Sequence, residues 1–217
     1  VGSEMCIRDR TRKQEHNTSM LVGVLSQIVE FRNGESGLHV QHIRVLTEKI
    51  LDHLLEKTSD YKISAEEQDN IPLASALHDI GKITIDETIL NKPGRLTKEE
   101  FEVIKTHCMQ GANMLRRLEN FEDEPLLQTA YDIARWHHER WDGRGYPDGL
   151  KGNDIPISAQ IVSLADVYDA LTSERCYKKA FSHETAMRMI LNGECGAFNP
   201  LLLECLTDIQ AELQKKL

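Results

Sequence analysis

Apolar residues in this chain recur at three- and four-residue steps from one end to the other. Nowhere does the strict alternation of a half-buried strand appear, nor a strand-then-helix rhythm. That periodicity commits the chain to helices packed on helices. Leu21, Leu25, Ile28 and Phe31 mark a stripe over about 18–31, and Val40, Ile43, Ile50 and Leu54 mark the next over 38–55. Ser64-Ala65-Glu66-Glu67 is a capping-box sequence, opening a helix that runs toward His78. Thr97-Lys98-Glu99-Glu100 is a second, followed by Phe101, Ile104, Cys108, Leu115 and Leu118 on one stripe. Further helices are expected over 124–138, 159–171, 184–191 and 201–213. Gly and Pro gather around 92–94 and across 142–156, in stretches too short to be domain linkers. The expected architecture is all-α.

At 217 residues the chain can bury the core of one helical domain. Its net charge of -9 argues against a nucleic acid polymer as partner, because polyanions select basic surfaces. A small anion needs only a local cluster of cations and is not excluded. No apolar run is long enough to span a bilayer, so no membrane segment is expected here. Five scattered cysteines, an odd number, do not form a disulfide framework, and a reducing cytoplasm is the expected location. Residues 1–10 open on Val and read as the translation of a sequencing adapter, so the true N-terminus is expected to be missing. Residues 11–33 read as a connector helix, and 34–217 as the catalytic domain.

Several of the nine histidines stand beside carboxylates or one another. His78-Asp79 closes a helix just before Gly81 and Lys82. Taken alone, such a pair is usually a polar helix end. Glu35 and His39 are four apart and share a face wherever that segment is helical. His107 follows, then His137-His138, whose side chains would diverge by about a hundred degrees on a continuing helix. Asp166 lies among Ile161, Val162, Leu164, Ala165 and Val167, where a carboxylate needs a partner. Imidazole mixed with carboxylate suits first-row transition metals.

Taken in order, the motifs are Glu35-x-x-x-His39, His78-Asp79-Ile80-Gly81-Lys82, His107-x-x-x-Gly111, His137-His138-Glu139-x-x-Asp142-Gly143-x-Gly145-Tyr146-Pro147 and Asp166-x-x-Asp169-Ala170-Leu171-Thr172. This series resembles the HD-GYP family, a branch of the HD-superfamily phosphohydrolases that degrades the bacterial second messenger cyclic di-GMP. The resemblance runs from about Glu30 nearly to the C-terminus. It implies an HD-superfamily helical bundle with the GYP extension. It also implies metal-dependent hydrolysis of cyclic di-GMP to pGpG, and onward to GMP where three metals are held.

Residue by residue, the resemblance makes His78 and Asp79 the defining ligands, with Asp79 bridging two ions. His39, His107, His137, His138 and Asp166 complete the cluster, and Glu35 matches the carboxylate of trinuclear members. The expected cofactor is two or three transition-metal ions, iron or manganese. Lys82 would sit by the scissile phosphate, Arg175 and Lys178 would hold the ligand's phosphates, and Tyr146 would border the pocket. His42 stands where the family often has Arg, and Cys108 where it often has Pro, both read as peripheral. In this family the connector helix joins a receiver or other sensory domain and pairs between subunits, which implies a missing N-terminal domain and a homodimer. Two alternatives stay open: a catalytically silent cyclic di-GMP receptor, and a hydrolase of another cyclic dinucleotide such as cyclic GMP-AMP.

Overall fold

The computed structural model describes the backbone of residues 2–33, 37–174 and 179–216, with side chains for these except 2–9, 11, 15, 215 and 216. Glu35, Arg175 and Lys178 therefore lie outside the described residues. Among those described there is no strand. The helices are α1 (Gly2–Arg32), α2 (Leu38–Lys57), α3 (Ala65–Ser75), α4 (Glu87–Leu90), α5 (Lys98–Arg116), α6 (Pro125–Trp136), α7 (Ile157–Thr172), α8 (His183–Leu191) and α9 (Pro200–Lys216). Both capping boxes form. Ser64 Oγ accepts from Glu67 N at 3.2 Å while Glu67 Oε2 accepts from Ser64 N at 2.8 Å. Thr97 and Glu100 exchange the same pair of bonds at 3.2 and 2.7 Å, so each helix starts where the sequence says.

α2 runs through the middle of the bundle, packed on α3, α7 and α9, and buries Ile43, Leu46, Ile50 and Leu54 completely. α7 is apolar on nearly every side, and Ala159, Ile161, Val162, Leu164 and Ala165 are fully enclosed. α5 packs along α6 and against a 3-10 turn at Ile80–Thr84, and α6 packs on α3 and α7. One consequence decides the site: the ends of α3 and α6, the middle of α5 and the start of α2 meet above α7.

α1 corrects the sequence reading. Leu21, Leu25, Ile28 and Phe31 face solvent, Phe31 with 87% of its surface exposed. The docked face is instead Val22, Ser26, Val29 and Glu30. Two stripes share one spacing here, and periodicity alone does not tell which docks. The small inward residues let α1 approach α2 and the 80–84 turn, whereas the bulky stripe stays more than half exposed. The helix also runs without a break through residues 2–10. Its C-terminal end is fastened beside the 80–84 turn: the Arg32 guanidinium donates to Ile83 O and, at 3.3 Å, to Ile85 O, and Asn91 Nδ2 donates to Arg32 O at 2.8 Å.

Candidate metal centre

The chain reverses after α3 in a tight turn, so His78 and Asp79 leave the helix end side by side. Gly81 follows because nothing larger fits. A Cβ there would lie 1.9 Å from His107 O and 2.5 Å from Gly111 N. The two glycines of the second and third motifs thus let the 80–84 turn rest backbone to backbone on α5, which brings Asp79 to His107. Asp79 Oδ1 is 3.3 Å from His107 Nε2 and 3.9 Å from His137 Nε2, while its Oδ2 is 3.2 Å from His78 Nε2 and 2.5 Å from Lys82 Nζ. One carboxylate therefore stands between two groups of donors. On one side are His39, His78 and Asp166; on the other are His107, Cys108, His137 and His138. Within each group the ligand atoms lie within 4.8 Å of one another.

The backbone sets which nitrogen of each ring is offered. His78 Nδ1 faces Ser75 O at 2.9 Å, His107 Nδ1 faces Ile104 O at 2.7 Å, and His137 Nδ1 faces Ile133 O at 2.9 Å. A carbonyl only accepts, so each Nδ1 carries the hydrogen and each Nε2 presents a lone pair. The Nε2 atoms of His107 and His137 then stand 3.5 Å apart, lone pair to lone pair. His78 Nε2 and Asp79 Oδ1 are buried with no hydrogen bond. Converging acceptors of this kind are stable around a cation and costly without one. The residues fit a metal.

Electrostatics agree. Burial lowers the pKa of His107, His137 and His138, taking His137 to about 3, so these rings stay neutral as ligands must. His78 runs the other way: burial works against its charged form, but the Asp79 carboxylate outweighs it and raises the ring to about 9, so its Nε2 holds a proton that a bound cation would displace. Burial opposes ionisation of Asp79 too, yet Lys82 and His78 hold it well below the usual carboxylate range. Burial pushes the Cys108 thiol up.

His137 and His138 also correct the expectation for a continuing helix. α6 ends at Trp136, and the chain turns there, so the two rings lie together with centroids 4.1 Å apart. His138 is stacked on Tyr146 at 4.8 Å, which makes Tyr146 a wall of the centre. Asp166 is less buried than its apolar neighbours suggest, with its side chain 20% exposed and Oδ1 3.7 Å from His39 Nε2.

The deeply buried acid on α7 is Asp169, which the motif contained but to which the sequence reading gave no role. It takes His39 Nδ1 at 2.6 Å, His42 Nδ1 at 2.7 Å and Ser173 Oγ at 2.8 Å, thereby turning His39 Nε2 toward the centre. Its spacing of three from Asp166 was the available signal. His42, read as peripheral, is part of this support.

Two further acids were passed over. Glu30, on the docked face of α1, is buried with Oε1 3.8 Å from His39 Nε2. Glu139 is buried, and its Oε1 accepts from Asp148 N at 2.7 Å and Gly149 N at 2.9 Å, pinning the loop that carries Tyr146. Gly145 completes that loop, since a Cβ there would lie 2.4 Å from Glu139 Cα.

Comparison with known proteins places these features in a lineage. Residues 24–196 match the family model described as HD domain. The chain is 38% identical to a cyclic di-GMP phosphodiesterase of Thermotoga maritima over 88% of this chain and 49% of that protein. It is 40% identical to the 3'3'-cGAMP-specific phosphodiesterase 2 of Vibrio cholerae over 87% of this chain and 34% of that protein. It thus spans no more than about half the length of these curated relatives. Among solved structures, an HDG"Y"P protein from Bdellovibrio bacteriovorus shares the fold, with TM-score 0.60 and 19% identity over 91% of this chain and 64% of that one.

Proposed function

The chain belongs to the HD domain family, and from that premise we propose that it hydrolyses cyclic di-GMP to linear pGpG and then, more slowly, to GMP. The observation that carries the reading is Asp79 standing between two converging groups of imidazoles. His39, His78 and Asp166 would hold one ion and His107, His137 and His138 another, with the Asp79 carboxylate offering an oxygen to each side. Glu35 would bring a third. Iron or manganese suits this mixture of nitrogen and oxygen donors.

When bound, such ions supply Lewis acidity and a water acidic enough to attack phosphorus near neutral pH. The chain's own residues do the rest. Asp79 keeps the two halves of the centre in register, and Asp169 keeps the His39 lone pair aimed at it. Lys82, 2.5 Å from Asp79 Oδ2 and half-buried, holds an ammonium beside the reacting phosphate, where it offsets charge on the phosphoryl or leaving oxygen. Arg175 and Lys178 would supply the positive charge for the phosphate that does not react, a guanidinium being suited to bidentate pairing. Tyr146 and the loop pinned by Glu139 close one wall and position the dinucleotide.

The identity to a 3'3'-cGAMP-specific enzyme supports a second reading, in which the mixed dinucleotide is the substrate. No described helix is long and apolar enough to cross a membrane, which is compatible with a cytoplasmic messenger as substrate. A sensory domain before α1 and pairing through α1 belong to the same proposal. The test is anaerobic purification, metal quantification and product analysis with each dinucleotide in parallel. The first reading expects pGpG from cyclic di-GMP at a much higher kcat/KM than from 3'3'-cGAMP. The reverse preference installs the second, and failure to cut either overturns both.

A further inference from the structure

We propose that Cys108 is itself a metal ligand, so that the ion held by His107, His137 and His138 has a sulfur donor in addition to the Asp79 oxygen. The proposal deepens the reading of this site as a metal centre and rests on it. Cys108 is fully buried on α5, directly after His107, and its Sγ is 3.4 Å from His107 Nε2. His107 Nε2 is in turn 3.5 Å from His137 Nε2. With metal–nitrogen bonds of about 2.0–2.1 Å and a metal–sulfur bond of about 2.3 Å, donors that share one ion at angles of about 90–120° stand roughly 2.9–3.8 Å apart. Sγ to His107 Nε2 and His107 Nε2 to His137 Nε2 already hold that separation, and the donor atoms of all four residues fall within 4.8 Å of one another.

The bland role for Cys108 is a small hydrophobe, heading the core stripe that continues through Ala112 and Leu115. As a core thiol it would donate its S–H to the His107 Nε2 lone pair; the ligand role goes further, because the nitrogens of His137 and His138 converge on the same place. On binding, the metal–sulfur bond forms as the S–H proton leaves to solvent, so the ion gains a thiolate. A thiolate favours iron, cobalt or zinc over manganese, which prefers harder donors.

The probe is cobalt(II), added anaerobically to the full chain after chelation and removal of the resident metal. The wild type should show visible d–d bands together with an intense near-ultraviolet charge-transfer absorption from sulfur to cobalt. In Cys108→Ser and Cys108→Ala the charge-transfer band should vanish while the d–d bands persist, and Cys195→Ser should keep both. Competition between manganese and zinc should shift toward manganese in the two Cys108 variants. The wild-type spectrum decides even where a variant folds poorly. Visible d–d bands without the charge-transfer band overturn the sulfur ligand and leave the metal centre intact, and no cobalt binding at all overturns both.

Discussion

Gly81→Ala puts the close approach of the 80–84 turn and α5 to the test. The added methyl would lie 1.9 Å from His107 O and 2.5 Å from Gly111 N, both backbone atoms that no rotamer change can move. Restoring ordinary contact requires the two backbones to part by about 1.5 Å, an overpacking that costs about 3 kcal/mol. For a chain of this size that lowers Tm by about 6–12 °C. The same displacement takes Asp79 Oδ1, now 3.3 Å from His107 Nε2, out of reach of any ion the two could share. Metal content and melting temperature should therefore fall together, with activity lost in proportion to metal. Gly23→Ala is the control. Its site on α1 is open and the helix is continuous there, so Ala should be neutral or stabilise by up to about 1 kcal/mol. A Gly81→Ala protein with wild-type Tm and full metal would show that the turn does not rest on α5 as described.

Asp132 gives a pH prediction: burial raises its carboxyl to about 6, so the folded chain binds that proton more tightly than the unfolded one, and the stability gained is present at low pH and lost as pH rises through 6. Asp132→Asn should raise Tm at pH 8 and leave it unchanged near pH 4, and equal effects at both pH values would refute the assignment. Replacing Arg175 and Lys178 together should weaken cyclic di-GMP binding at least tenfold at unchanged metal content; unaltered affinity by calorimetry would place the pocket elsewhere. Glu35→Ala should reduce metal from three ions per chain to two and slow pGpG cleavage more than ring opening, and an unchanged count would make Glu35 a solvated residue.

The cluster of histidines and acids was legible because motifs resembling a known family stand in order along the sequence. His39, His78, Asp79, His107, His137, His138 and Asp166 all come together, from five separate segments. Helix starts were legible where a capping box declares them, at Ser64 and Thr97. What the sequence concealed is what depends on neighbours. Leu21, Leu25, Ile28 and Phe31 show helical spacing, yet the face that docks is Val22, Ser26 and Val29, and only the surface of α2 and the 80–84 turn makes that choice. His137 and His138 seemed bound to diverge because the end of α6 at Trp136 carries no Gly or Pro signal. Asp166 drew attention over Asp169 because apolar neighbours in sequence are not burial. Asp169 is 1% exposed, and its partners His39 and His42 lie some 130 residues away.

Metal stoichiometry beside turnover, in the wild type and in Asp79→Ala, addresses the central claim most directly. Prepared without oxygen, the wild type should carry two or three transition-metal ions per chain and convert cyclic di-GMP to pGpG. Asp79→Ala should lose most of that metal and all measurable hydrolysis while still folding, because its carboxylate faces both sets of imidazoles. Full metal occupancy with wild-type turnover in Asp79→Ala would contradict the account.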